Sequence, residues 1–201
     1  MNMRAVSYGP ATAADAAQMA AVQIAAWRDC YAGFLPAEML LALDDRRLTA
    51  ALQGALAKPD AFAVSFAARY HGRILGFCHA GSAMFSEAEG STEIFHLAVD
   101  PDVQDQGIGT ALFVRTADRL RDLGGRALVV KTWAQNQIAL SMFSKLGAEL
   151  RDHETAAPAG RILPSRQYVW PDIELLFDRL EALVGDGDTL CKALLTAFNQ
   201  R

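Results

Sequence analysis

The chain has 201 residues, of which 52% are apolar and 21% charged, and its formal net charge is −4. That composition suits one well-buried domain with room for a small appendage, and it excludes a disordered chain. The slight acidity excludes a general electrostatic attraction to nucleic acid or to an anionic membrane surface.

Arg4 to Tyr8 reads as a short strand closed by Gly9-Pro10. Thr12-Ala-Ala-Asp15 resembles a capping box, with Asp where Glu is usual. In the helix that follows, Ala16, Ala20, Ile24, Trp27 and Tyr31 share one face by steps of three and four. Pro36 suits a helical first turn, so Ala37 to Leu56 reads as one or two short helices. Phe62 to Ala68 and Arg73 to His79 are strands joined at Tyr70-His71-Gly72, and Glu93 to Val99 is the next strand. Strict alternation there puts Glu93, Phe95, Leu97 and Val99 on one side and Ile94, His96 and Ala98 on the other.

Helix Gly107–Leu123 carries Leu112, Phe113, Thr116, Ala117, Leu120 and Leu123 on one side. Arg115, Asp118, Arg119, Arg121 and Asp122 face water, and Gly124-Gly125 ends the helix. Ala127 to Thr132 is a buried-type strand, and Gln137 to Leu146 is a helix closed by Gly147. Ala148–His153 and Arg166–Trp170 read as two more strands around a loop rich in Ala, Pro and Gly. Beyond Pro171, helices Asp172–Val184 and Thr189–Phe198 are split by Gly185-Asp-Gly-Asp188 and form a hairpin on the sheet or on a second subunit. Hairpin strands flanking a strand–helix–strand crossover imply a mixed sheet with helices on its faces.

The segment Glu93 to Thr110 carries the most chemistry. An apolar strand runs into a glycine-punctuated turn that opens an amphipathic helix. Such a helix start offers unpaired N–H groups and the positive end of the macrodipole to an anion. Gly107 and Gly109 lack a Cβ, so a phosphate can approach the main chain closely. A Walker-type nucleotide loop would need a lysine after the glycines, and Ile108-Gly109-Thr110 does not supply it. Cys30, Cys78 and Cys191 are an odd, dispersed set without metal-ligand spacing, which fits a reducing cytoplasm. The first residues lack a signal peptide's apolar core, and no apolar run approaches the ~20 residues that span a bilayer. The expectation is a cytoplasmic protein without metal.

Leu97-Ala98-Val99 followed by Gln104-Asp105-Gln106-Gly107-Ile108-Gly109 resembles the acetyl-CoA signature of the GNAT superfamily of N-acetyltransferases: Gln or Arg, two residues, Gly, one residue, Gly or Ala. Asp100-Pro101 between strand and loop is similar to the family's usual sequence there. So is the later run Asn136-Gln-Ile-Ala139-Leu-Ser-Met-Phe143-Ser-Lys145-Leu-Gly147. The opening Thr12…Asp15…Trp27-Arg-Asp-Cys-Tyr31-Ala-Gly33-Phe34-Leu-Pro36 also resembles many members. The resemblance covers roughly residues 3 to 170 and implies a GNAT-type α/β fold. That fold is a mixed, mostly antiparallel twisted sheet with helices on both faces. The division expected is residues 1–171 as the acetyltransferase domain and 172–201 as a C-terminal helical extension.

The resemblance also implies roles. Gln104, Asp105, Gln106, Gly107, Ile108, Gly109 and Thr110 would cradle the CoA pyrophosphate, with acidic Asp105 a departure that must point to solvent or lower the affinity. Leu97, Ala98 and Val99 would pair through their backbone with the pantetheine arm, and Asn136 would hydrogen-bond that arm unless it is only a helix cap. An amine of pKa near ~10.4 must lose its proton, and Glu93 matches the position of the family's carboxylate base. His96 is a weaker candidate by chemistry alone, set against a structural histidine. Phe143 stands where the family has a proton-donating tyrosine, so it is expected to pack against the pantetheine, with Ser144, Ser141, Tyr168 or water as the substitute acid. Trp27, Tyr31 and Phe34 would border the acceptor site. The expected function is direct transfer of acetyl from acetyl-CoA to a primary amine of a small molecule or peptide. The alternative is an acyl-CoA-binding sensor or interaction module. A homodimer through the C-terminal helices is one further expectation.

Overall fold

The computed structural model describes residues 5–84, 89–156 and 162–188 and is organised around a seven-stranded sheet. The strands are β1 (Ser7–Pro10), β2 (Val64–Tyr70), β3 (Arg73–Ser82), β4 (Ser91–Val99), β5 (Ala127–Trp133), β6 (Glu149–Ala156) and β7 (Ile162–Trp170). The helices are α1 (Ala16–Cys30), α2 (Ala37–Leu41), α3 (Asp45–Ala57), α4 (Ile108–Asp122), α5 (Gln137–Lys145) and α6 (Glu174–Gly185). The sheet order is β1-β2-β3-β4-β5-β7-β6, antiparallel throughout except for the parallel β4–β5 pair. That pair is joined by α4, the crossover that parallel neighbours require. The mixed, mostly antiparallel sheet with helices on both faces is the architecture the sequence implied.

Two apolar clusters line the two faces. One gathers Leu112, Phe113 and Leu120 of α4, Phe143 of α5 and Leu176, Phe177 and Leu180 of α6 over β4, β5 and β7. The other gathers Ala16, Met19 and Ala20 of α1 with Leu52 of α3 against Phe77 and Ala98. Covered on both sides, β3 reads as a nearly continuous apolar run and is buried from Ile74 to Gly81. The Thr12–Asp15 box forms as expected, the Thr12 N–H donating to the Asp15 carboxylate at 2.8 Å.

Some readings need correction, beginning with β1, which runs through Gly9-Pro10 instead of closing there. β6 and β7 are longer than expected; the loop between them lies outside the described residues, as does the helix expected at 189–198. Leu123, expected on the buried side of α4, is 37% exposed because the helix ends at Asp122. Asp118, expected in water, is buried and accepts from the Arg121 guanidinium at 2.8 Å. The cause is α6: its Phe177 ring lies 3.9 Å under Arg121, and its Glu174 pairs with the same guanidinium at 3.2 Å. Of the two placements open for the first C-terminal helix, the structure shows packing on the sheet. Ile173, Phe177 and Leu180 enter the main core, and the Ile173 N–H donates to the Arg126 carbonyl at 2.7 Å.

The feature that positions the site is in β4. Its register with β3 runs Cys78↔Leu97, His79↔His96, then Ala80↔Ile94, so Phe95 is an extra residue, a β-bulge. Ile94 faces the α4 cluster, and so do Leu97 and Val99 beyond the bulge. Glu93 before the bulge and His96 and Ala98 beyond it face the α1–α3 side. Strict alternation had separated Glu93 from His96; the bulge returns them to one face.

Candidate active site

β4 and β5 pair only from Ser91↔Ala127 to Ile94↔Val130. β4 continues to Val99, while β5 continues to Trp133 with its other edge held on β7. The parallel strands therefore part after Ile94, and residues 95–99 turn main-chain groups toward a gap instead of a ladder partner. Leu97, Ala98 and Val99 lie on this open edge.

The strand end is anchored by buried Asp100, whose N–H donates to the Leu75 carbonyl at 2.8 Å. Its carboxylate accepts from the Asp102 N–H at 3.1 Å and pairs with Arg73. The Gln104 amide donates to the Val99 carbonyl at 3.2 Å and so fixes the loop against the end of the open edge. Asp105 and Gln106 are both exposed, and Asp105 takes the left-handed backbone (φ 57°) that short polar side chains tolerate. Gly107 (φ 79°) caps α4, where the first helical bond is Ala111 N–H to the Gly107 carbonyl at 2.9 Å. The amides of Ile108, Gly109 and Thr110 thus have no carbonyl partner within the helix. The Ile108 side chain is buried beneath them, and the Thr110 hydroxyl meets the Met142 sulfur at 3.5 Å, joining α4 to α5. Open edge and helix start together form a continuous track for an anionic, amide-bearing ligand.

At the head of the track Glu93 is not a solvated strand end. It is buried, its Oε1 accepts from Lys131 Nζ at 3.0 Å, and its Oε2 accepts from the Met84 N–H at 3.4 Å. Lys131 follows Val130, the last β5 residue paired with β4, so this ion pair bridges the two strands where they part. His96 stands beside His79 of β3, with ring centroids 6.2 Å apart. Burial, with His79 close by, lowers the His96 pKa to about 4, so the ring is neutral near pH 7. Burial also lowers the pKa of His79, against its bond to the Val64 carbonyl and the nearby Asp60. The two rings and Phe95 line a cavity under α3.

From the other side Tyr31, just past α1, reaches the loop at the head of α5. Asn136 accepts from the Ala139 N–H at 3.1 Å, which orients its amide, and its Nδ2 donates to the Tyr31 hydroxyl at 3.4 Å. Burial pushes the Tyr31 hydroxyl's pKa up, against hydrogen bonds with Thr132 and Asn136. Thr132 lies in the part of β5 that no longer pairs with β4, so Tyr31 brings a phenol to the open end of the gap. Trp27 and Phe34 flank it, with ring centroids at 5.5 and 6.5 Å.

Two of the expected residues are not brought to this group. Phe143 is 2% exposed and packs on Phe113, Tyr168 and Trp170 in the core. The Ser144 hydroxyl lies 3.3 Å from that of Tyr168 on β7, across β5 from the opening. The sequence reading missed Lys131, the Met84 amide, His79 and the α3 wall. Lys131 carried a signal, because a lysine inside an otherwise apolar strand needs a partner. Among the described residues no group of His, Cys, Asp or Glu is placed to hold a metal ion, and no helix is long and apolar enough to cross a membrane.

Over 96 residues the chain is 33% identical to mycothiol acetyltransferase of Thermobifida fusca, covering 46% of this chain and 29% of that protein. Over 54 residues it is 39% identical to the ribosomal protein bS18-alanine N-acetyltransferase of Escherichia coli, covering 27% of this chain and 36% of that protein. These matches span about a third of each relative's length. The fold is shared with PaiA N-acetyltransferase from Thermoplasma acidophilum, solved in complex with coenzyme A. The TM-score is 0.64 at 14% identity, over 82% of this chain and 99% of that one. A model of the acetyltransferase (GNAT) family matches residues 21–148, and this chain belongs to that family.

Proposed function

We propose that the protein transfers the acetyl group of acetyl-CoA directly to a primary amine of a small molecule. The observation that carries this reading is the unpaired stretch of β4. Residues 95–99 leave β5 after Ile94, beside the buried Glu93, and a loop tied to Val99 through Gln104 leads from them to the first amides of α4. The amides of Ile108, Gly109 and Thr110 suit the pyrophosphate, and the edge at Leu97–Val99 suits the amide-bearing pantetheine arm. Exposed Asp105 can turn its charge to water. Acetyl-CoA supplies the thioester carbonyl.

Glu93 is the group assigned to the amine proton, with Lys131 holding the carboxylate at the head of the gap. Because burial keeps His96 neutral, it adds no positive charge to repel an incoming ammonium. Tyr31 is the hydroxyl assigned to the leaving sulfur, a role neither Phe143 nor Ser144 is placed to fill. A thiol pKa near ~8.5 makes the thiolate a tolerable leaving group, so this acid assists without being indispensable. The ammonium gives one proton to Glu93 and the freed amine nitrogen bonds to the carbonyl carbon; the C–S bond breaks with its electron pair on sulfur, and the second proton leaves nitrogen as one reaches sulfur.

Calorimetry with acetyl-CoA, combined with thiol release over a panel of amines, tests the reading. Binding with amine-dependent thiol release is expected. Binding without release over the whole panel would leave an acyl-CoA-binding module, and no binding would remove both readings.

A further inference from the structure

The cavity under α3 has a volume of about 370 Å³. Small-molecule sites run from about 300 to 1,000 Å³, so this space suits a compact ligand. Leu48, Ala51, Leu52 and Ala55 of α3 form one wall, and Met84 and Phe95 lie on the strand side. The polar and charged groups that line it are Lys58, Asp60, His79 and His96. Asp60 is already engaged, accepting from the Phe62 N–H at 2.8 Å and the Ser82 N–H at 3.2 Å. His79 is engaged too, through the Ser65 hydroxyl and the Val64 carbonyl. Exposed Lys58 adds a positive charge at the rim.

His96 differs from these groups, because it forms no hydrogen bond with any described residue. Its neutral ring carries one N–H and one lone pair, and it lines the cavity beside the bulge where β4 leaves β5. A neutral imidazole with no hydrogen-bond partner among the described residues, in a mostly apolar pocket next to the open edge, matches a ligand with one polar end and an apolar body.

We infer that this cavity seats the acceptor, a primary amine carrying one compact apolar group such as an arylalkyl or branched alkyl chain. The apolar group lies against α3, and the nitrogen donates to His96 on the side of Glu93. A polyamine would want several carboxylates along its length, but the cavity offers one, already bonded, together with the Lys58 ammonium. An aminoglycoside would bring many hydroxyls and ammoniums to a lining that is mostly apolar. This inference rests on the acetyl-transfer reading, which supplies the reason for an amine.

The test compares phenethylamine and isoamylamine with spermidine and an alanyl peptide, in wild type and in Ala51→Phe and Ala55→Phe, which fill the cavity from its α3 wall. The apolar amines should react with kcat/KM at least tenfold higher than the other two. The variants should raise the apolar amines' KM by roughly tenfold to a hundredfold and leave the KM for acetyl-CoA unchanged. A preference for spermidine or peptide, or an unmoved amine KM in folded variants, would overturn the inference. Titration of phenethylamine into the CoA-loaded protein, read at the Met84 methyl and His96 ring NMR signals, works without turnover. Unmoved signals would overturn the cavity assignment, whereas failure to bind acetyl-CoA in calorimetry would overturn the acetyl-transfer reading instead.

Discussion

The two sides of β4 are built from different materials. Toward β5 and α4 the protein offers backbone: an open strand edge and the first amides of a helix. Toward α3 it offers side chains: a carboxylate held by a lysine, a pair of imidazoles and an apolar wall. A surface made of backbone is indifferent to most substitutions that keep the turn, whereas a surface made of side chains changes with each one. The shared ligand of a family belongs on the first kind of surface and a private substrate on the second.

Substitutions on either side should therefore separate cleanly, and the largest effect is expected from Glu93→Gln. It removes the proton acceptor and puts a neutral amide where Lys131 now meets a carboxylate. A fall in kcat of about 10²–10⁴ is expected, with acetyl-CoA affinity unchanged in calorimetry. Loss of acetyl-CoA binding in this variant would mean that the two sides are not separable. Gly107→Val acts on the other side, placing a β-branched residue at φ 79° and a side chain among the amides. Acetyl-CoA affinity should drop by about a hundredfold, with amine binding intact by NMR.

The histidines give a smaller effect that belongs to the acceptor side alone. His96 titrates near 4 in the folded protein and near ~6.5 when unfolded, so between these values the unfolded chain binds the extra proton. Its contribution to stability is full above ~6.5 and is lost as the pH falls toward 4, at most about 3 kcal/mol. Thermal melts from pH 7 to pH 4.5 should show that slope, and His96→Gln should reduce it, leaving the share that belongs to His79. The smallest effect is expected from Tyr31→Phe, a loss in kcat of about tenfold with little change in either KM. Loss of the alkaline limb of the kcat profile would confirm a titrating phenol, and an unchanged profile would remove Tyr31 from the reaction.

What could be read from the sequence divides along the same line. Backbone devices leave local marks, so Gln104 to Gly109 showed the helix start and Asn136 showed the cap on α5. The acceptor side depends on residues far apart in sequence. Glu93 meets Lys131 of β5 and the amide of Met84, and His96 meets His79 of β3. Alternation also assumes one residue per step, and the extra residue at Phe95 breaks that assumption without leaving a composition signal. Asp118 was misread for a related reason: α4 considered alone is half polar, and only the return of α6 across it dries that side.

The bulge has a consequence for how such a site can evolve. Phe95 is supernumerary in the ladder, so removing it would leave every other β4 side chain on the face it now occupies. The partners Glu93↔Gly81 and Leu97↔Cys78 would stay, so the change would be a loss of the bend and added twist that a bulge gives its strand. The angle between the carboxylate and the open edge is thus adjustable by one codon gained or lost, a route to new substrates that leaves the core sequence untouched.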